Sequence, residues 1–121
     1  MRILIAEDEA VIALCLEDIL DGFGHQVCGI ASTADDAVAL AGREKPDLVL
    51  MDVMLARGSD GVSAACDIRQ RYGIGSVLTS ALTESAIRDR AAPARPLAFI
   101  RKPYNPGDLS TVLDRLAADR P

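Results

Sequence analysis

The chain has a single histidine, His25, and only three cysteines, Cys15, Cys28 and Cys66. The cysteines are odd in number and widely spaced, with no CxxC or Cys/His pattern, which argues against a disulfide framework or a zinc site. They read as small apolar residues in a reducing compartment. His25 follows Gly22 and Gly24 in a turn and reads as a solvated loop residue; a histidine nucleophile would need partners the sequence does not offer. No apolar run approaches the roughly 20 residues of a membrane span. Nor does the N-terminus carry the basic leader, apolar stretch and small-residue cleavage site of a secreted protein. No membrane association and a cytoplasmic location are expected. With no internal repeat, low-complexity tract or linker, residues 1–121 read as one domain.

What the chain does contain is a soluble balance, 50% hydrophobic and 26% charged, enough to bury a real core. Its net charge of −5 is unevenly spread: residues 1–60 hold twelve acidic and four basic side chains, residues 61–121 six and nine. An acidic whole argues against general affinity for nucleic acid, which rests on phosphate neutralisation, so no direct DNA binding is expected. The acidic half points to a local carboxylate cluster and the basic half to a docking face.

Strand and helix patterns alternate along the chain. Residues 2–6 form a short apolar run that ends in three consecutive acids. Between Ala10 and Phe23, the residues Val11, Ile12, Cys15, Leu16, Ile19, Leu20 and Phe23 recur at helical spacing, with Gly22 and Gly24 as the stop. A second strand covers 26–31, and Ser32 or Thr33 caps a helix with Asp35 and Asp36 in its first turn. Asp47 to Asp52 is a continuous apolar run with an acid at each end, the pattern of a strand buried on both faces. A helix follows over 62–72, strands over 76–79 and 97–100, a thin-faced helix from Glu84 to Ala92, and a last helix from about Pro106. Such alternation implies a parallel sheet with right-handed crossovers. Ligands in doubly wound sheets sit beyond the carboxyl ends of the strands.

Those strand ends carry the chemistry. Glu7 and Asp8 follow the first strand, Asp52 ends the third, Ser80 the fourth, and Lys102 follows the fifth. Crowded carboxylates raise one another's pKa, and a divalent cation relieves the repulsion. Two or three carboxylates with room for water and phosphate suit magnesium, Mg²⁺, better than Ca²⁺ or zinc. A metal, a carboxylate nucleophile, a hydroxyl donor and an ammonium are the parts that phosphoryl transfer to an acid requires. Separately, Glu7 to Glu9 could be no more than an acidic first helical turn. A carboxylate closing an apolar strand, as Asp52 does, is costly without a partner.

The set resembles the response-regulator receiver family of two-component signalling over the whole chain. The matching pieces are residues 3–9 (Ile-Leu-Ile-Ala-Glu-Asp-Glu), residues 46–52 (Pro-Asp-Leu-Val-Leu-Met-Asp), Asp60-Gly61, Ser80-Ala81 and Lys102-Pro103. Singly these are common; their order and spacing make the resemblance specific. It implies the flavodoxin-like (βα)5 fold with strand order 2-1-3-4-5. It further implies that Asp52 is the phosphoacceptor, that Asp8 binds the metal directly, that Glu7 holds a metal-bound water, and that the carbonyl of Met54 completes the coordination. Ser80 and Lys102 would hold phosphoryl oxygens, the Lys102-Pro103 bond would be cis, and Phe99 would be the aromatic that turns inward on activation. Phe99 is equally plausible as plain core. Met54 and Leu82, two residues beyond Asp52 and Ser80, occupy positions that tune the access of attacking water; both are apolar, so slow self-dephosphorylation is expected. The implied partners are a sensor histidine kinase or histidine phosphotransfer protein as donor and a downstream protein target, with the chain a switch rather than an enzyme. The sequence ends soon after its fifth helix, so a stand-alone receiver or an N-terminal fragment is expected.

Three features depart from the family pattern. The loop after Asp52 lacks the usual proline and is one residue longer before Asp60-Gly61. Serine stands at 80 where threonine is commoner, losing the β-branch that stiffens χ1. The fourth helix is short and followed by Pro93 and Pro96. Two rival readings remain open. One is a degenerate receiver that binds partners without phosphorylation. The other is an aspartyl-phosphate phosphatase or phosphotransferase, although such enzymes of the haloacid-dehalogenase kind want a second aspartate where this chain has Met54.

Overall fold

A computed structural model describes residues 1–119. Its elements are β1 (Arg2–Ala6), α1 (Ala10–Gly22), β2 (Gln26–Ala31), α2 (Ala34–Glu44), β3 (Leu48–Asp52), α3 (Gly61–Tyr72), β4 (Gly75–Ser80), α4 (Glu84–Ala91), β5 (Ala98–Arg101) and α5 (Pro106–Ala118). The strands form one parallel sheet in the order β2-β1-β3-β4-β5, as expected. Every residue of β3 and β4 is buried, because helices cover both faces of the sheet. One core packs Leu4, Val49, Met51, Ile68 and Leu78 beneath α2, α3 and α4; the other packs Ile3, Ile5, Leu50, Leu20 and Leu113 beneath α1 and α5. Burying each such side chain stabilises the fold by about 1.5–3 kcal/mol.

Local chemistry sets the helix ends. Thr33, rather than Ser32, caps α2 by accepting from the Asp36 amide at 3.2 Å. Asp60 caps α3, and Asn105 with Asp108 forms a reciprocal capping box around Pro106 at the start of α5. α4 ends at Ala91, and a short 3-10 turn over Ala92–Ala94 carries the chain past Pro93.

Two expectations need correcting. The apolar stripe of α1 is wider than the face that packs: Leu16 and Leu20 are buried with Ala13, whereas Val11 is 74% and Ile12 37% exposed. Cys15, another residue of that stripe, is also exposed. His25 is half-buried rather than solvated, with Nδ1 3.0 Å from the Met1 ammonium. Burial, and then that ammonium, lower its pKa.

Candidate functional site

Parallel register brings the carboxyl ends of the strands to one edge. Ala6 pairs with Met51, Asp52 with Thr79, and Ser80 with Arg101. β3 lies between β1 and β4, so Asp52 stands between the Glu7–Asp8 pair and Ser80. Adjacent strands about 4.8 Å apart keep all of these within reach of one small ligand.

Asp52 is only 7% exposed, and both its carboxylate oxygens are engaged. Oδ1 accepts from the Met54 amide at 3.0 Å, and Oδ2 accepts from Lys102 Nζ at 2.6 Å. Glu7, also buried, accepts the Glu9 amide on Oε2 at 3.2 Å, and its Oε1 lies 3.5 Å from the same lysine. Asp8 is exposed. Carboxylate oxygens of Glu7, Asp8 and Asp52 all lie within 4.8 Å of one another. At that spacing two like charges repel by about 3 kcal/mol, even at an effective dielectric near 20. One ammonium cannot neutralise three carboxylates. The hard oxygen donors, their mutual distance and the uncompensated charge therefore fit a small divalent cation.

The titration behaviour has the same origin. Burial raises the Glu7 pKa, and the charge of Asp52 and a hydrogen bond with the Asp8 side chain add to it against the opposing Glu9 amide and Lys102. Burial works against the Lys102 ammonium, but its hydrogen bond to Asp52 and the charges of Asp52 and Glu7 outweigh that, so its pKa rises.

Ser80 is buried, and its Oγ accepts from the Leu82 amide at 2.9 Å, which leaves the hydroxyl proton free to donate elsewhere. Its carbonyl accepts from the Lys102 amide at 2.8 Å, tying the base of the lysine to β4. The Lys102–Pro103 peptide is cis. Met54 and Leu82, at 70% and 47% exposure, are the open apolar residues beside the site. Phe99 is half-buried against the α3–α4 side of the core and lines a cavity of about 300 Å³ beneath α4.

The loop after Asp52 folds into a miniature hairpin that the sequence alone did not suggest. Met54 bridges Asp60 antiparallel, the Leu55 amide donates to the Ser59 carbonyl, and the Ser59 amide closes the turn on the Ala56 carbonyl. Both central residues have positive φ, 59° at Arg57 and 68° at Gly58, the backbone of a type I′ turn. Gly61 then donates its amide to the Val53 carbonyl at 2.8 Å. A Cβ at Gly61 would overlap the carbonyl oxygen of Asp52 itself. Sequence reading noted Asp60-Gly61 as a motif piece but not this contact, nor the ion pair that Asp60 makes with Arg90 at 2.8 Å. Tyr104, half-buried beside the lysine with its pKa raised by burial, was likewise missed.

A buried carboxylate at the end of the central strand, two neighbouring acids and a lysine bonded to it define a flavodoxin-like domain with an acidic pocket. The chain belongs to the response regulator receiver domain family of two-component signalling, whose profile matches residues 3–114. It is 38% identical over 119 residues to the transcriptional regulatory protein PdtaR of Mycobacterium tuberculosis, covering 98% of this chain and 57% of that protein. It is 37% identical over 116 residues to the phyllosphere-induced regulator PhyR of Methylorubrum extorquens, covering 94% and 42%. The chain thus spans about half the length of these two relatives. Among solved structures, the solution structure of the PhyR receiver domain of Erythrobacter litoralis matches with a TM-score of 0.84 at 32% identity, over 99% of this chain and 93% of that one.

Proposed function

We propose that the protein is a phosphorylation-dependent receiver, one domain over residues 1–121, that takes a phosphoryl group on Asp52 from a phosphohistidine donor. The observation that carries this reading is the pairing of buried Asp52 with Lys102 at 2.6 Å inside a cluster of three carboxylates. In this reading Asp52 is the nucleophile. One of its oxygens forms the O–P bond while the donor's N–P bond breaks, its electron pair staying on the imidazole nitrogen. Glu7, Asp8, Asp52 and the Met54 carbonyl would hold Mg²⁺, which supplies positive charge against the phosphoryl oxygens when bound. Lys102 pairs with one phosphoryl oxygen and the free hydroxyl proton of Ser80 donates to another.

Phosphorylation adds charge and acceptors that draw on Ser80, and the cavity under α4 gives Phe99 room to follow. The altered face would be read by a downstream protein target, with a sensor histidine kinase or histidine phosphotransfer protein as donor. The protein would work in the cytoplasm, through protein contacts and without touching DNA or membrane, as a switch and not a turnover enzyme. Exposed Met54 and Leu82 offer no group to activate water, so hydrolysis of the acyl phosphate is slow. A half-life of seconds without phosphatase would contradict that.

Incubation with acetyl phosphate and Mg²⁺, followed by intact mass measurement, tests the reading. A phosphoryl adduct is expected that disappears in Asp52→Asn and with chelator. No adduct under any condition would overturn it in favour of a phosphorylation-independent binding module.

A further inference from the structure

Arg90 lies in the last turn of α4, and its Nη1 donates to Asp60 Oδ2 at 2.8 Å. Asp60 uses its other oxygen to cap α3 through the Val62 amide at 2.9 Å. One carboxylate therefore ties the start of α3 to the end of α4. Asp60 is also the residue bridged to Met54 across the hairpin, and the Gly61 amide next to it holds the Val53 carbonyl. The other end of α4 begins just beyond Leu82, whose amide is bound to Ser80 Oγ. Leu82, Met54 and Arg90 line the same depression of about 280 Å³ between hairpin and helix. The links run in a closed loop: β3 to hairpin, hairpin to Asp60, Asp60 to Arg90, α4 back to Ser80 and β4.

We propose that Arg90 is a positioning residue for this site: by pinning Asp60 it fixes the hairpin, and with it the Met54 carbonyl and the Asp52-bound Met54 amide. The proposal rests on the metal-binding reading above. Both side chains are about half exposed, 53% and 43%, so the pair is screened. Its effect on metal affinity is modest, about two- to fivefold.

The test is Mn²⁺ binding to the whole chain, followed by electron paramagnetic resonance of the free ion, for wild type, Arg90→Gln, Arg90→Lys, Asp60→Asn and the Arg90→Gln/Asp60→Asn double variant. Asparagine caps a helix nearly as well as aspartate, so Asp60→Asn removes the charge and spares the cap. Charge alone predicts that losing a cation near the site tightens Mn²⁺ binding; positioning predicts that Arg90→Gln weakens it about two- to fivefold. Arg90→Lys should recover part of the loss, and in the Asp60→Asn background Arg90→Gln should cost nothing further. Unchanged or tighter binding in Arg90→Gln, or losses that simply multiply in the double variant, would overturn the role. Wild type that binds no Mn²⁺ would instead defeat the functional reading on which it rests.

Discussion

The backbone of Asp52 and the α-carbon of Gly61 are packed so closely that no side chain fits between them: a Cβ on Gly61 would stand 2.9 Å from the Asp52 carbonyl carbon and overlap its oxygen. Both atoms in that clash belong to main chain, so neither can swing aside. Gly61→Ala is expected to destabilise the protein by about 1–3 kcal/mol through forced overpacking. It should also displace the hairpin that carries Met54. Urea unfolding gives the first effect and acetyl phosphate labelling the second; an alanine variant with wild-type midpoint and labelling would contradict both.

Arg57 holds a left-handed backbone, φ 59° and ψ 31°, at the first central position of the type I′ turn. A long side chain gains nothing from that conformation, whereas asparagine tolerates it. Arg57 is exposed, so its removal breaks no packing. Arg57→Asn should relieve part of the roughly 1–2 kcal/mol that a left-handed residue costs, read as a higher urea midpoint with an unchanged slope.

Lys102 is the sole cation bonded to Asp52 among the described residues, and it also lies near Glu7. Replacing it with methionine leaves two buried carboxylates facing each other without a counter-charge. A loss of about 1–3 kcal/mol is expected in metal-free buffer, discounted from a fully buried pair because the lysine is 30% exposed. Added Mg²⁺ should restore more stability to Lys102→Met than to wild type. Thermal melts with and without the ion check this, and equal shifts in the two proteins would count against it.

His25 offers a pH effect remote from the site. Its folded-state pKa is lowered from 6.5 by burial and by the Met1 ammonium, so the unfolded chain binds the proton more readily. Its contribution to stability is complete above 6.5 and is lost as pH falls from 6.5 through the lowered folded value. His25→Gln should flatten that part of the stability curve, measured by urea unfolding at several pH values. An unchanged slope below neutrality would show that other groups dominate.

How much of this was written in the sequence differs by element. β3 announced itself because a strand buried on both faces must be apolar throughout, and the acids placed at strand ends followed from topology alone. α1 was legible as a helix, yet periodicity could not say that Val11 and Ile12 face solvent, since an apolar stripe does not reveal how wide its partner is. The hairpin after Asp52 was hidden because Arg-Gly lacks the Asn-Gly or Asp-Gly signature of its turn. Gly61 and Arg90 matter through contacts with Asp52 and Asp60, and contact between residues 30 positions apart, as for Arg90 and Asp60, leaves no local pattern. His25 was misread for the same reason, its neighbour being 24 positions away.

The sheet has a second edge, where the strands begin, and the turns leading into it are built alike. α2 ends on Lys45 at φ 49°, α3 on Gly73 at φ 69°, and the 3-10 turn after α4 on Arg95 at φ 44°. Each reversal is completed by one left-handed residue, and none of Glu7, Asp8, Asp52, Ser80 and Lys102 stands there. Two of the three carry a side chain where glycine would be unstrained. Lys45 and Arg95 are therefore places where this receiver could gain rigidity or accept a grafted segment while the opposite rim, which carries the charges, keeps its spacing.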